Sequence, residues 1–200
     1  MILKTEVYGL ILAGGKSSRM NTDKGELQYH AATSQRSFLY QMLQKYCTRT
    51  FISCRGDQVT ALQKEEAYIT DENLYKGPLN GILSAHHLHP GKAWMVVAVD
   101  LPHVTDTTIA ALINQRDDLK PATAYATQAS KMPEPLIAIW EPTALTEVEK
   151  YIQAGNACPR KFLIGQDIKI IFPTEDTELF NANYYNEYLE AKNRMGVNHE

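Results

Sequence analysis

An unbroken apolar run from Leu10 to Ala13 stops at two glycines, Gly14 and Gly15, and passes at once into Lys16, Ser17, Ser18, Arg19, Asp23 and Lys24. So short an apolar run, closed by glycine, fits a strand covered on both faces. Paired glycines let backbone N–H groups turn towards a ligand that a Cβ would hold away. With Lys16, Arg19 and Lys24 following closely, that ligand is expected to be an anion, most plausibly a polyphosphate. Two common phosphate motifs do not account for the stretch. Gly15-Lys16-Ser17 looks like the end of a P-loop, but that motif needs glycine where Leu10 stands, and residues 10–13 read as strand rather than loop. No GxGxxG follows, so the dinucleotide fold in its usual form is unsupported.

Strand and helix patterns alternate along the rest of the chain. The spacing of Phe38, Leu39, Met42, Leu43 and Tyr46 predicts a helix over 38–47. Residues 50–54 then read as a strand, 59–66 as a helix and 68–70 as a short strand ending at Asp71. Gly77, Pro78 and Gly81 mark a rigid turn leading into a helix over 79–88. Residues 94–99 are a second strongly buried strand pattern, followed by Asp100-Leu101-Pro102. A helix from about 105 to 115, capped by Thr105 or Asp106, comes next. Strands over 122–127, 136–140 and 168–172 complete the pattern, separated by helical spacing at 145–153 and 159–164. Residues 26–37 read as a polar loop over or beside the anion site, and the tail after Lys192 as loose.

This alternation predicts an α/β fold: a three-layer α/β/α sandwich with a mostly parallel sheet, in a single domain over residues 1–200. In open parallel sheets ligands bind outside the carboxyl ends of the strands, so the glycine turn and Asp100 are expected on one edge. That grouping suits a triphosphate with Mg²⁺ between its oxygens and Asp100, since Mg²⁺ usually takes only one or two protein carboxylates.

The net charge of -3 argues against general nucleic-acid binding. No apolar run approaches the roughly 20 residues that span a bilayer, and the N-terminus turns acidic too soon for a signal peptide. Cys47, Cys54 and Cys158 lack CxxC spacing and read as reduced thiols of a cytoplasmic protein. His86, His87 and His89 suggest zinc at first sight. His86, however, shares a helical face with Leu79 and Leu83, which favours one partly buried histidine and two surface ones.

Leu12, Ala13, Gly14, Gly15, Arg19, Met20, Asp23 and Lys24 stand where the pyrophosphorylase-like signature LAGGxxxRMxxxDK asks, and the chain resembles the molybdenum cofactor guanylyltransferase (MobA) family. Asp71, the segment Gly77-Pro78-Leu79-Asn80-Gly81, and Asp100-Leu101-Pro102 match further positions of that family. The resemblance implies a Rossmann-like, GT-A-like nucleotidyltransferase fold and a Mg²⁺-dependent transfer of GMP from GTP to molybdopterin, with release of pyrophosphate. It implies Mg²⁺ at Asp100 and catalytic roles for Arg19, Lys24 and Asp100. The nucleotide would lie against Leu12, Ala13, Gly14, Gly15, Lys16 and Lys24, with the base and ribose near Asp71 and Gly77 to Gly81.

Ser53 stands where close relatives often have an asparagine near the base. Arg160, in a segment resembling the family's Ala-Gly stretch with a following arginine, becomes a candidate contact for the pterin phosphate. Asn181 and Asn183 match the first two asparagines of an Asn-x-Asn-Thr-Pro-Glu motif in which Tyr184 and Tyr185 here replace Thr-Pro. The implied partners are GTP, molybdopterin and, transiently, other molybdenum cofactor biosynthesis proteins, with no nucleic acid and no membrane. A cytidylyl- or sugar-phosphate nucleotidyltransferase on the same fold is the rival enzyme, although the related cytidylyltransferases usually read LAAG. A nucleotide-binding module without turnover is the rival from another class.

Overall fold

The computed structural model describes residues 5–15, 23–30 and 33–196. Its strands are β1 (Val7–Leu12), β2 (Arg49–Cys54), β3 (Tyr68–Thr70), β4 (Ala93–Ala98), β5 (Ala122–Ala126), β6 (Pro133–Trp140) and β7 (Lys169–Ile171). Its helices are α1 (Gln35–Gln44), α2 (Pro78–Leu88), α3 (Asp106–Asn114), α4 (Pro142–Gln153), α5 (Pro159–Ile164) and α6 (Tyr185–Arg194). The strands form one sheet in the order β3-β2-β1-β4-β6-β5-β7.

Alternation along β1 builds the three layers. Val7 and Ile11 pack with Leu39 and Leu43 of α1 and Ile109 and Leu112 of α3. Tyr8 and Leu10 face the other way, onto Leu79, Ile82 and Leu83 of α2, Leu145 and Val148 of α4, and Phe162 of α5. A strand buried on both faces needs no polar alternation, which is why β1 and β4 are near-continuous apolar runs. The result is the expected α/β/α sandwich.

The sheet is mixed at one strand: β6 pairs antiparallel with both β4 and β5, while the β1–β2, β1–β4, β2–β3 and β5–β7 pairings are parallel. The connection from Ala126 to Pro133 explains it, because a parallel return needs a crossover of a dozen or more residues.

Several local expectations are corrected. Residues 59–66 are not a helix. A 3₁₀ segment covers Gly56–Ala61, and a turn follows in which the Gln63 N–H donates to Glu66 Oε2 at 2.9 Å. So short a segment gains little from helix formation, whereas buried Glu66 also accepts from the Ser37 hydroxyl.

Helix α1 begins at Gln35, with Ser34 as its N-cap. The end of the expected loop is therefore the buried first turn of a helix, and Leu27 and Tyr29 earlier in it pack with Tyr188 and Ala191. Helix α6 continues past Lys192 to Arg194, where an Arg194–Glu190 ion pair of 2.8 Å closes its last turn.

The three histidines are held by three different surroundings. His86 is buried, and His89 sits against the rings of Tyr8, Phe51 and Trp94. His87 bridges Glu72 and Glu149 at 2.7 Å each, tying the segment after β3 to α4. Partial desolvation lowers the proton affinity of the His87 ring, and the hydrogen bonds it donates to both carboxylates more than reverse it, so its pKa lies above 6.5.

A folded-state pKa above the unfolded one gives stability that is complete below the unfolded value and lost as pH rises through the folded value. His87→Gln is therefore expected to lower the urea midpoint at about pH 6 and to match the parent protein near pH 9. Equal midpoint losses at both pH values would show that charge plays no part.

Candidate functional site

At the carboxyl ends of β1, β2 and β4 lies a cavity of about 610 Å³, within the range of small-molecule sites. The parallel register Leu12↔Ala98 sets the ends of β1 and β4 side by side. The Ala13 N–H extends the ladder onto the Ser53 carbonyl at 2.9 Å, and the Val99 N–H onto that of Leu12 at 3.3 Å. Gly14 and Gly15 therefore leave the sheet next to Asp100.

One wall is built around Asp71, which is 8% exposed and accepts from the Ser53 hydroxyl at 2.6 Å. A Cβ on Gly14 would stand 2.2 Å from Asp71 Oδ2, and one on Gly81 would stand 2.2 Å from Ser53 Oγ. Glycine at both places lets the turn after β1 and the first turn of α2 close on one carboxylate. Burial raises the Asp71 pKa, opposed by the Ser53 hydrogen bond, the Arg55 charge and the Asn80 hydrogen bond. Gly77, at φ +70, precedes Pro78 at the start of α2. That backbone region is open to glycine and strained for side-chain-bearing residues.

The opposite wall is built around Asp100. Lys24 Nζ donates to Asn183 Oδ1 at 2.8 Å and lies 3.5 Å from Asp100 Oδ2. The lysine is placed by Asp23, whose carboxylate caps the 3₁₀ turn Lys24–Glu26 through the Gly25 N–H at 2.9 Å. The C-terminal segment is stitched to the same point, since the Ala182 N–H donates to the Asp100 carbonyl at 2.8 Å. Glu187 of α6 takes the Asn183 N–H at 2.6 Å. Burial raises the Asp100 pKa, and the charge and hydrogen bond of Lys24 oppose this. The second carboxylate oxygen, Oδ1, is buried with no hydrogen-bond partner among the described residues.

Of the residues read from sequence, Leu12, Ala13, Gly14, Gly15, Lys24, Ser53, Asp71, Gly77, Gly81, Asp100 and Asn183 all line this cavity. Lys16 and Arg19 lie outside the described residues. Arg160 is not in the lining: its guanidinium is held by the Glu134 carboxylate and the Pro133 carbonyl. Asn181 also lies off the lining, and its side-chain amide donates to the Leu179 carbonyl at 3.3 Å. Pro78 and Asn80 of the Gly77 to Gly81 segment line it as well, and the lining further contains Arg55, Asn73, Tyr75, Lys76 and Leu136, which the sequence reading did not assign to the site. Arg55 follows β2 directly, so the rule that places ligands at carboxyl strand ends also pointed to it.

A chiefly parallel α/β sheet with a glycine turn, a lysine and a carboxylate oxygen lacking a partner among the described residues around one edge crevice defines a class, the α/β proteins whose ligand site lies at the carboxyl ends of the strands. The profile of the MobA-like NTP transferase domain family matches residues 9–169, and the chain belongs to that family. It is 34% identical over 189 residues to the molybdenum cofactor biosynthesis bifunctional protein of Synechocystis sp., covering 94% of this chain and 54% of that protein. The chain thus spans about half the length of that relative. It is 25% identical over 202 residues to the molybdenum cofactor guanylyltransferase of Serratia proteamaculans, covering 98% of each. Among solved structures, molybdopterin-guanine dinucleotide biosynthesis protein A from Archaeoglobus fulgidus superposes with a TM-score of 0.77 at 19% identity, over 96% of this chain and 100% of that one. At that identity the likeness speaks for the fold. No helix among the described residues is long and apolar enough to cross a membrane.

Proposed function

We propose that this chain, acting as one nucleotidyltransferase domain, transfers GMP from GTP to molybdopterin and releases pyrophosphate. The convergence at one cavity of Gly14 and Gly15, Lys24 and Asp100 Oδ1, which has no hydrogen-bond partner among the described residues, carries the reading. Family membership supports it, as does the name of the Serratia relative.

The residues present fit a divalent cation. Asp100 Oδ1 is a buried oxygen lacking a donor among the described residues, and Mg²⁺ is usually bound by one or two carboxylates together with substrate phosphates. When bound, Mg²⁺ would neutralise charge on the triphosphate oxygens. The rest of the work falls to the chain.

The N–H groups of the glycine turn face the phosphates, and Lys24, steadied by Asn183, supplies a point charge beside Asp100. Lys16 and Arg19, just beyond the turn, are assigned to the same phosphates, Arg19 as the two-pronged partner. Ser53, Asp71 and Gly77 to Gly81 form the wall against which the base and ribose lie. A phosphate oxygen of molybdopterin attacks the α-phosphorus, the bond to the bridging oxygen breaks, and pyrophosphate leaves. Positioning and charge stabilisation account for the rate. The reaction is placed in the cytoplasm, where proteins handling the labile pterin would make transient contact.

The test is pyrophosphate release on mixing the protein with molybdopterin, Mg²⁺ and either GTP or CTP. Release with GTP and little with CTP is expected. Nucleotide binding without release would indicate the module lacking turnover, and preference for CTP the cytidylyl rival.

A further inference from the structure

Three successive carbonyls at the end of β1 are gripped by side chains from the end of β2. Arg55 Nη1 donates to the carbonyls of Gly14 at 3.0 Å and Gly15 at 2.7 Å. Gln58 Nε2 donates to the carbonyl of Ala13 at 3.0 Å and to Asp23 Oδ2 at 2.6 Å. The Gln58 oxygen in turn accepts the Arg55 N–H at 2.9 Å. Arg55 is itself fixed from behind by Asp57, through Nε at 2.9 Å and Nη2 at 3.0 Å.

A guanidinium has five N–H donors. With two on the Asp57 carboxylate and two on glycine carbonyls, a single hydrogen of Nη2 is left over. That is the wiring of a strap across the backbone rather than of a group reserved for substrate. Its effect follows from peptide geometry. In a planar trans peptide the N–H points opposite to the carbonyl before it. Drawing the Ala13 and Gly14 carbonyls towards β2 therefore turns the Gly14 and Gly15 N–H groups away from it. Among the described residues neither of those N–H groups donates a hydrogen bond.

We propose that Arg55, locked by Asp57 and seconded by Gln58, is a positioning residue that sets the glycine turn in its anion-binding form before a nucleotide arrives. Donors fixed in advance need no reorganisation when charge is presented to them. The proposal rests on the reading of this turn as the cradle of the triphosphate. Asp57 offers a clean handle on it: its side chain is 69% exposed, it lies outside the cavity lining, and it bears on the turn through Arg55.

The experiment compares the parent protein with Arg55→Lys and Asp57→Ala. Lysine keeps the charge and loses the fork, so a role as a bare cation would survive in Arg55→Lys and a strap would not. Binding of inorganic tripolyphosphate with Mg²⁺ is measured by calorimetry. The ¹⁵N order parameters of Gly14 and Gly15 are measured without any ligand.

Both variants are expected to weaken tripolyphosphate binding on the order of tenfold. They should also lower the two glycine order parameters from the rigid range of about 0.85, with the thermal midpoint kept within about 2 °C of the parent. Parent-like binding by Arg55→Lys would overturn the strap, as would unchanged glycine order parameters in Asp57→Ala. The order parameters are read on the free protein, so a parent protein that fails to turn over GTP would sink the proposed function while leaving this test standing.

Discussion

Asp100→Asn is expected to lower turnover on the order of 10³-fold, the scale reached when one preorganised electrostatic group is removed from a transition state, with no loss of thermal stability. The substitution keeps the shape of the side chain and an oxygen acceptor for Lys24, and it removes the negative charge. In the folded protein that charge is largely withdrawn from water, with Lys24 at 3.5 Å as its cationic neighbour and Oδ1 without a partner among the described residues. A carboxylate so placed costs folding free energy, so the amide should be tolerated at least as well. The pair of outcomes is diagnostic, because groups retained for function rather than stability behave in this way. Single-turnover pyrophosphate release and a melting scan on the same preparation decide it. A variant that turns over like the parent would remove this carboxylate from the reaction, and one that melts well below it would make Asp100 structural.

The halves of the site were not equally legible in the sequence. The glycine turn and Asp100 each follow a buried strand closely and Asp71 follows the short β3, so one rule about carboxyl strand ends puts them together before any coordinates are known, while Lys24 is reached only through the signature that continues past the glycines. Arg55 obeys the same rule, yet nothing in its neighbours Gly56 and Asp57 shows that its fork would turn back onto the Gly14 and Gly15 carbonyls.

Arg160 shows a related limit of motif reading. A motif can bring a residue to the right edge of the sheet, but Glu134, carried there by the antiparallel β6, pairs with the guanidinium. Two prolines, Pro133 and Pro135, hid the first half of β6, since proline argues against a central strand. Here β6 pairs with β4 only from Ile137 onwards, so the prolines fall where β4 makes no ladder with it. The polar first turn of α1 was obscured in the same manner. Gln35 and Arg36 look like loop residues, but Gln35 is buried with its amide donating to the Leu101 carbonyl at 3.2 Å.

The largest stability effect is expected at the other end of the sheet, where Arg116 and Glu141 form a two-pronged ion pair, Nε to Oε1 and Nη2 to Oε2, at 2.7 Å each. The two side chains are 6% and 4% exposed. Nη1 also donates to the Thr5 carbonyl at 2.7 Å, joining the chain ahead of β1 to the segment after α3 and to the start of α4. Removing one partner strands a buried charge, a change that costs about 3–5 kcal/mol. Arg116→Ala and Glu141→Ala should each lower the urea-derived stability by that amount. Replacing both with apolar residues of similar volume, as in Arg116→Met with Glu141→Leu, should recover most of the loss, because the desolvation of two ions disappears with their attraction. The pair sits beyond the amino end of β1 and the cavity lies beyond its carboxyl end, so under the proposed activity the folded fraction of each variant should retain the parent's KM for GTP. Additive losses in the double variant would mean that these side chains act separately, and a raised KM would mean that the two ends of the sheet are mechanically linked.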